Sequence, residues 1–330
     1  MKIRNALGIL SSEVPTGNLL WVDAINGIDA LAVRGRITFP FRTLSAAKNT
    51  AINGDTIIVL PATYVEWDLA KNGVNWHFLI GARVDPGVSA TTSLFASSGG
   101  NYAVTGYGEF TISGAGKSVV SGTFNDVTFK CIKMTANSSA GCIDVGASSG
   151  LLSVECDLAQ SVGICANIVS GTNTLKIRDI SSTGNSAVYS SGGTTEIEAF
   201  RIKSTGGAGV FFTGGTLTVA AVEISSSVTY AVDYENSTLA VCTIIGARLV
   251  STLASSSGRA VYLGMYTSAN TNALRLSRCV LVPYATAESI GALNANTLNL
   301  HGECVAKTSK GANVTIASPG SSLNVNSNIA

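Results

Sequence analysis

Short small-residue turns recur in this chain at a step of 22 residues: Ser170-Gly171-Thr172, Gly192-Gly193-Thr194, Gly214-Gly215-Thr216 and Asn236-Ser237-Thr238, with Ala187-Val188, Gly209-Val210 and Ala231-Val232 keeping the same step. A period of about 20 to 30 residues, built of β-type runs and Gly/Ser/Thr turns, restricts a chain to a solenoid, because no single repeat can bury its apolar side alone. Leu175, Ile197, Val219 and Val241 make one apolar column at this step, and Leu158, Ile180, Ile202 and Ile224 make another. Lys176, Glu198, Arg201 and Glu223 fall between them and read as the outer face. In a parallel stack of coils, equivalent residues sit about 4.8 Å apart. The earlier coils are expected to keep the step, with Phe129 over Leu151, Ile132 over Val154 and Ile143 over Cys165. Past Val241 the phase slips: Ala260-Val261 follows Ala231-Val232 at more than the regular step, which places a longer loop in an irregular region near 253–287.

Composition supports an all-β class. Charged residues make up 12%, there are 35 Gly, and no long stretch carries the apolar spacing of an amphipathic helix. A length of 330 residues suits one solenoid, which grows by adding coils. A net charge of +1, without a basic run or an acidic tail, argues against nucleic acid and anionic membrane surfaces as partners. No apolar run reaches the roughly 20 residues of a membrane span. Ala6 to Leu10 is too short for the core of a signal peptide, so no general export is expected. Seven cysteines, odd in number and without a CxxC pair, read as small buried hydrophobes of a protein made in a reducing compartment, not as a disulfide framework or zinc site. With two histidines in the chain, no metal and no cofactor are expected.

The segment from 19 to 66 carries a more specific signal. Trp21-Val22-Asp23, Asn26-Gly27-Ile28-Asp29, Pro40-Phe41-Arg42-Thr43-Leu44 and Gly54-Asp55-Thr56-Ile57-Ile58-Val59 follow in an order that resembles the opening of right-handed parallel β-helix proteins of the pectate-lyase-like superfamily. Within that superfamily the chain is most like bacteriophage tailspike and fibre proteins. The resemblance implies a single-stranded right-handed β-helix, closed at its start by a short helix. Thr43 is a suitable N-cap for a helix over Leu44 to Ala51, with Leu44, Ala47 and Ala51 on one side. Three segments follow: 1–18 for attachment, 19–66 for the opening and cap, and 67–330 for the helix itself. The last twenty residues contain short β-type pieces and no second capping helix.

Chemistry is sparser. Asp157, Asp179, Arg201 and Glu223 share the 22-residue step, which would set Asp157 and Asp179 about 5 Å apart, near the spacing of a retaining glycosidase pair. Arg201 and Glu223 continue the column, and Lys133 with Glu155 and Lys176 with Glu198 repeat the opposite-charge stacking, so a surface ladder is the favoured reading over catalysis. Polygalacturonase-type and pectate-lyase active-site motifs do not carry over: Arg201-Ile202-Lys203 and His301-Gly302 stand in reversed order, and no Asp-Asp pair exists. Trp67, Tyr262, Tyr266 and Tyr284 are the candidate glycan-stacking rings. The resemblance implies a non-enzymatic virion protein, synthesised in the host cytoplasm. It would be docked to other virion proteins through its N-terminal segment, homotrimeric, and able to bind host surface polysaccharide. Capsid decoration and polysaccharide depolymerase activity are the alternatives.

Overall fold

The computed structural model of the chain describes residues 18–137, 139, 141–147, 150–235, 240–253, 259–263, 274–284, 289–292, 296–301, 304–306, 314–316 and 323–325. It is a parallel β-solenoid. Three ladders of strands make its faces, and every strand pairing in them is parallel. The first ladder runs without a break from Leu19–Val22 through Thr56–Val59 and Asn75–Phe78 to the long strands Leu151–Ser161, Thr172–Ser182, Thr194–Ser204 and Thr216–Ser226. It then continues through Val241–Ile245, Leu274–Ser277 and Asn296–His301 to Val314–Ile316. Short strands such as Val188–Ser190, Val210–Phe212 and Val232–Tyr234 form another face. The C-terminal pieces Val314–Ile316 and Leu323–Val325 extend the stack in parallel register.

The regular step holds where the turns repeat most closely. Thr172, Thr194 and Thr216 are in register, as are Leu175, Ile197 and Val219, and Val188, Val210 and Val232. The reason for the repeated glycine is conformational. Gly171, Gly193 and Gly215 have φ of 85°, 72° and 82°, and a Cβ on Gly215 would lie 2.5 Å from the Gly193 carbonyl oxygen below it.

Outside that stretch the step changes. Leu151 pairs with Thr172 across a shorter interval, whereas Asp126 with Leu151 and Val219 with Ile244 are joined across longer ones, so Val241 lies on Thr216 instead of Val219. Phe129 accordingly stacks on Val154, not Leu151, and Ile143 on Ala166, not Cys165. Ala159, not Leu158, begins the column of Ile180, Ile202 and Ile224. The physical cause is that strands align by their inward faces while the turns absorb length. The expected longer interval between Val232 and Val261 is present. Asn236 to Leu239, which include the fourth copy of the turn, lie outside the described residues.

Each long strand bends. In Leu151–Ser161, inward Leu152, Val154 and Cys156 alternate with outward residues, then Asp157 and Leu158 both face out before Ala159 and Ser161 turn in again. After the bend comes a column of buried serines, Ser161, Ser182, Ser204, Ser226 and Ser251, in register through five coils. Each hydroxyl donates to a carbonyl in the following turn or in the turn of an adjoining coil: Ser161 and Ser182 to Gly163, Ser204 to Asn185, Ser226 to Gly207 and Ser251 to Thr229, all within 2.5 to 2.8 Å. Turn carbonyls that face the interior are thereby satisfied without water.

The first coils have an aromatic core. Trp76, Phe78, Phe95, Phe110 and Phe129 form one cluster of contacting rings, with the centroids of contacting pairs 4.9 to 6.3 Å apart. Complete burial of each such ring contributes about 1.5 to 3 kcal/mol. Leu44 to Thr50 form the expected helix, capped by the Thr43 hydroxyl, which accepts from the Ala46 amide at 3.2 Å, and Leu44 and Ala47 are buried. Lys71 closes its other end by donating to the Lys48 and Ala51 carbonyls, both at 2.6 Å. The opening motifs are wired to one another. Asp29 accepts from the Arg42 and Thr43 amides at 2.7 and 3.1 Å, and Asp55, 1% exposed, accepts from Arg34 Nε at 2.8 Å. Burial of Asp55 would raise its pKa, but the hydrogen bonds from Arg34 and the Ile52 amide and the charges of Arg34 and Lys71 leave it lowered. Met1 to Gly17, most of the expected attachment segment, lie outside the described residues.

Candidate functional site

The bend in the long strands creates an open groove of about 730 Å³ along the outside of the stack. One wall is the outward column Lys130, Glu155, Lys176, Glu198, in register coil by coil and alternating in sign. Lys130 Nζ lies 3.0 Å from Glu155 and Lys176 Nζ 3.7 Å from Glu198. Lys130, not the expected Lys133, is therefore the partner of Glu155, because this coil is longer than the dominant step; Lys133 lies opposite Leu158. Cys131, Cys156, Ile177 and Ala199 form the floor. Asp157, Arg178, Phe200 and Val222, at the bend itself, form the other wall, and Gly106 with Tyr107 also lines it.

Two features of the lining matter chemically. Phe200 is 58% exposed and Tyr107 42% exposed, so flat apolar rings are presented to solvent on a rigid scaffold. The charged lining residues are Lys130, Lys176 and Arg178 against Glu155, Asp157 and Glu198, three of each sign. The groove is electrically balanced, and each carboxylate has a cation within 4 Å on a neighbouring coil.

The expected Asp157–Asp179 stack is not formed. The residue opposite Asp179 is Leu158, because the coil that joins these two strands is shorter than the dominant step. Asp157 lines the groove while Asp179 does not. Arg178 stands between them, 3.8 Å from Asp157 and 3.4 Å from Asp179, and Arg201 lies 3.1 Å from Asp179 on the other side. Asp179, Arg201, Glu223 and Arg248 then form the charge ladder, with Arg248 3.4 Å from Glu223.

The candidate rings are dispersed. Trp67 is half-buried and packs against the core of the first coils. Tyr262 is half-buried and stacks on Tyr230 at 4.5 Å with an angle of 16°. It continues an outward column of Tyr189, Phe211 and Asp233 on the short-strand face. Tyr284 is exposed, and Tyr266 lies outside the described residues. None of Trp67, Tyr262 and Tyr284 lines the groove. In the Tyr262 column, burial first and Glu235 second push the Asp233 carboxyl up to about 7. Tyr107 and Phe200 carry no sequence signal as site residues. Only the true coil lengths place them beside the same groove. Among the described residues there is no group of three or more His, Cys, Asp or Glu side chains placed to hold a metal ion.

No protein-family model matches the chain, and neither curated proteins nor solved structures include one significantly similar to it.

Proposed function

We propose that the protein is a non-catalytic binding rod of the bacteriophage tailspike or fibre type, which holds host surface polysaccharide along the bend groove. The observation that carries this reading is the groove itself: open, several coils long, carrying exposed Tyr107 and Phe200, and lined by hydrogen-bonding side chains fixed in pairs. Sugar rings stack their apolar faces on such side chains, and the paired ions accept and donate to hydroxyls. The equal numbers of positive and negative lining residues favour a neutral or zwitterionic glycan over a polyuronate, which would call for a net positive groove. Carboxylates held by cations from adjoining coils suit binding better than proton transfer.

In this reading the N-terminal end is the attached one. The loop after the first strand exposes Ile25, Ile28, Leu31, Val33, Ile37 and Phe39, an apolar surface suited to another virion protein. The rod functions as a homotrimer.

Binding of capsular or lipopolysaccharide oligosaccharides, measured by calorimetry, is expected to weaken at least tenfold in Phe200→Ala and Tyr107→Ala and to persist in Tyr262→Ala. Loss in Tyr262→Ala alone would move the site to the short-strand face. New reducing ends on incubation with polysaccharide would convert the reading to a depolymerase. Many copies on the shell, seen by electron microscopy of particles, would convert it to a decoration protein, and a monodisperse monomer on sedimentation would remove the trimer.

A further inference from the structure

Strand alternation in the first coils sends Leu20, Val22, Ile57, Val59, Trp76 and Phe78 into the core. Their neighbours Trp21, Ile58 and His77 therefore point outward, in register on three successive coils. Farther along the same ladder, outward positions are open to solvent, as at Lys176 and Glu198, whose side chains are 60% and 71% exposed. On the first coils they are closed. Trp21 is 8%, Ile58 0% and His77 2% exposed, and Leu79, which follows the third strand, is 6% exposed. Trp21, Ile58 and Leu79 form an apolar cluster separate from the core, and the partly buried apolar residues packed on it are Leu19 and Leu60 of the same strands. Neighbours in one sheet face flank a side chain without roofing it, so burial this complete calls for a further layer over the face.

We propose that the chain's own N-terminal segment, residues 1–17, is that layer and folds back over Trp21, Ile58, His77 and Leu79. The segment departs from this spot: Asn18 leads into the first strand, and its carbonyl accepts from the Thr56 amide at 3.1 Å, next to Ile58. Its sequence has a matching side. Ile3, Leu7, Leu10 and Val14 are spaced by 4, 3 and 4 residues, as on one apolar side of a helix, with Arg4, Asn5, Ser12 and Glu13 off it. Its reach is sufficient, since three strands span about 10 Å and a dozen helical residues about 18 Å. A segment seated this way covers an apolar outer face at the start of the solenoid and is not an arm left over for another protein. Attachment at that end then falls to the loop with exposed Ile25, Leu31 and Phe39. None of this depends on what the groove binds.

The test uses the full chain with the photoreactive residue benzoylphenylalanine in place of Leu7, irradiated as a mixture of isotopically light and heavy chains and mapped by mass. The expected links join position 7 to the peptides that contain Trp21, Ile58 or Leu79, within one chain. Links between light and heavy chains would give the face to a second copy, and links that avoid these strands would leave the segment elsewhere; either overturns the proposal. Hydroxyl-radical footprinting of the double variant Leu7→Asp, Leu10→Asp is a second measure. Oxidation of Trp21 is expected to rise severalfold over wild type while inward Trp76 stays protected, and unchanged Trp21 oxidation would overturn the proposal. The cross-link map decides the matter even if the double variant does not fold.

Discussion

Ser204 Oγ donates to the carbonyl of Asn185, 2.6 Å away in the turn of the preceding coil. The same oxygen accepts from the Gly206 and Gly207 amides at 3.2 and 2.9 Å. One hydroxyl thus serves three backbone groups at a buried corner. Ser204→Ala strands them, and the expected cost is about 1 to 3 kcal/mol. Urea unfolding followed by circular dichroism measures it, with exposed Glu196→Ala as the control, which is expected to stay within about 0.5 kcal/mol. Equal midpoints for the two variants would remove the structural role given to the serine column.

The repeated turn glycine admits a sharper test. Gly193 has φ of 72° and its added Cβ would lie 2.5 Å from the Gly171 carbonyl oxygen. Gly193→Ala combines a left-handed backbone penalty of about 1 to 2 kcal/mol with that clash, so its thermal midpoint should fall well below wild type. Gly35, also at positive φ but with open space around the Cβ position, should lose only the first part when changed to Ala.

Inward and outward neighbours in one strand should respond in opposite proportion. Ile197 stacks between Leu175 and Val219 and is buried, and Ile197→Ala is expected to cost about 2 to 5 kcal/mol. Glu198, next along the strand, makes an exposed 3.7 Å pair with Lys176, and Glu198→Ala should change stability by less than about 1 kcal/mol. Both are read from denaturant midpoints at near-physiological salt, and a larger loss for Glu198 would contradict the assigned faces.

Stability should fall as pH rises through Asp233. Its folded pKa, about 7, lies above the ordinary carboxylate value because of burial and then Glu235, so the folded state retains a proton that the unfolded chain gives up. The stabilisation is complete below about pH 4 and is lost on the way to pH 7, a change on the order of a few kcal/mol. Asp233→Asn is expected to flatten this slope and to raise the midpoint at pH 8 relative to wild type, while leaving it nearly unchanged at pH 4. Parallel midpoint-against-pH curves for the two proteins would show that Asp233 does not titrate in this range.

Much of the architecture is written in the sequence, and its clearest passage is the one where coil length is constant. Between Thr172 and Ser226, two successive equal steps bring Leu175, Ile197 and Val219 together, and the glycine-threonine turn repeats because each coil demands the same left-handed residue. The capping helix is equally legible, since Thr43 and the Leu44, Ala47, Ala51 side are local signals. The serine column at Ser182, Ser204 and Ser226 keeps the same step, but serine in a turn-rich chain has no contrast with its surroundings.

The amino-acid sequence by itself determined the solenoid, its dominant period and the inward identity of the regular columns, because strand alternation and turn conformation are properties of neighbouring residues. Only the tertiary structure decided which residue lies on which where coils shorter and longer than that period meet. With that came the separation of Asp157 from the Asp179 column, the pairing of Lys130 with Glu155 and of Cys131 with Cys156, and the groove containing Tyr107 and Phe200. Coils align by burying side chains against one another, and a turn can gain or lose residues without disturbing that alignment. Distance along the chain therefore ceases to report distance in space wherever a turn changes length.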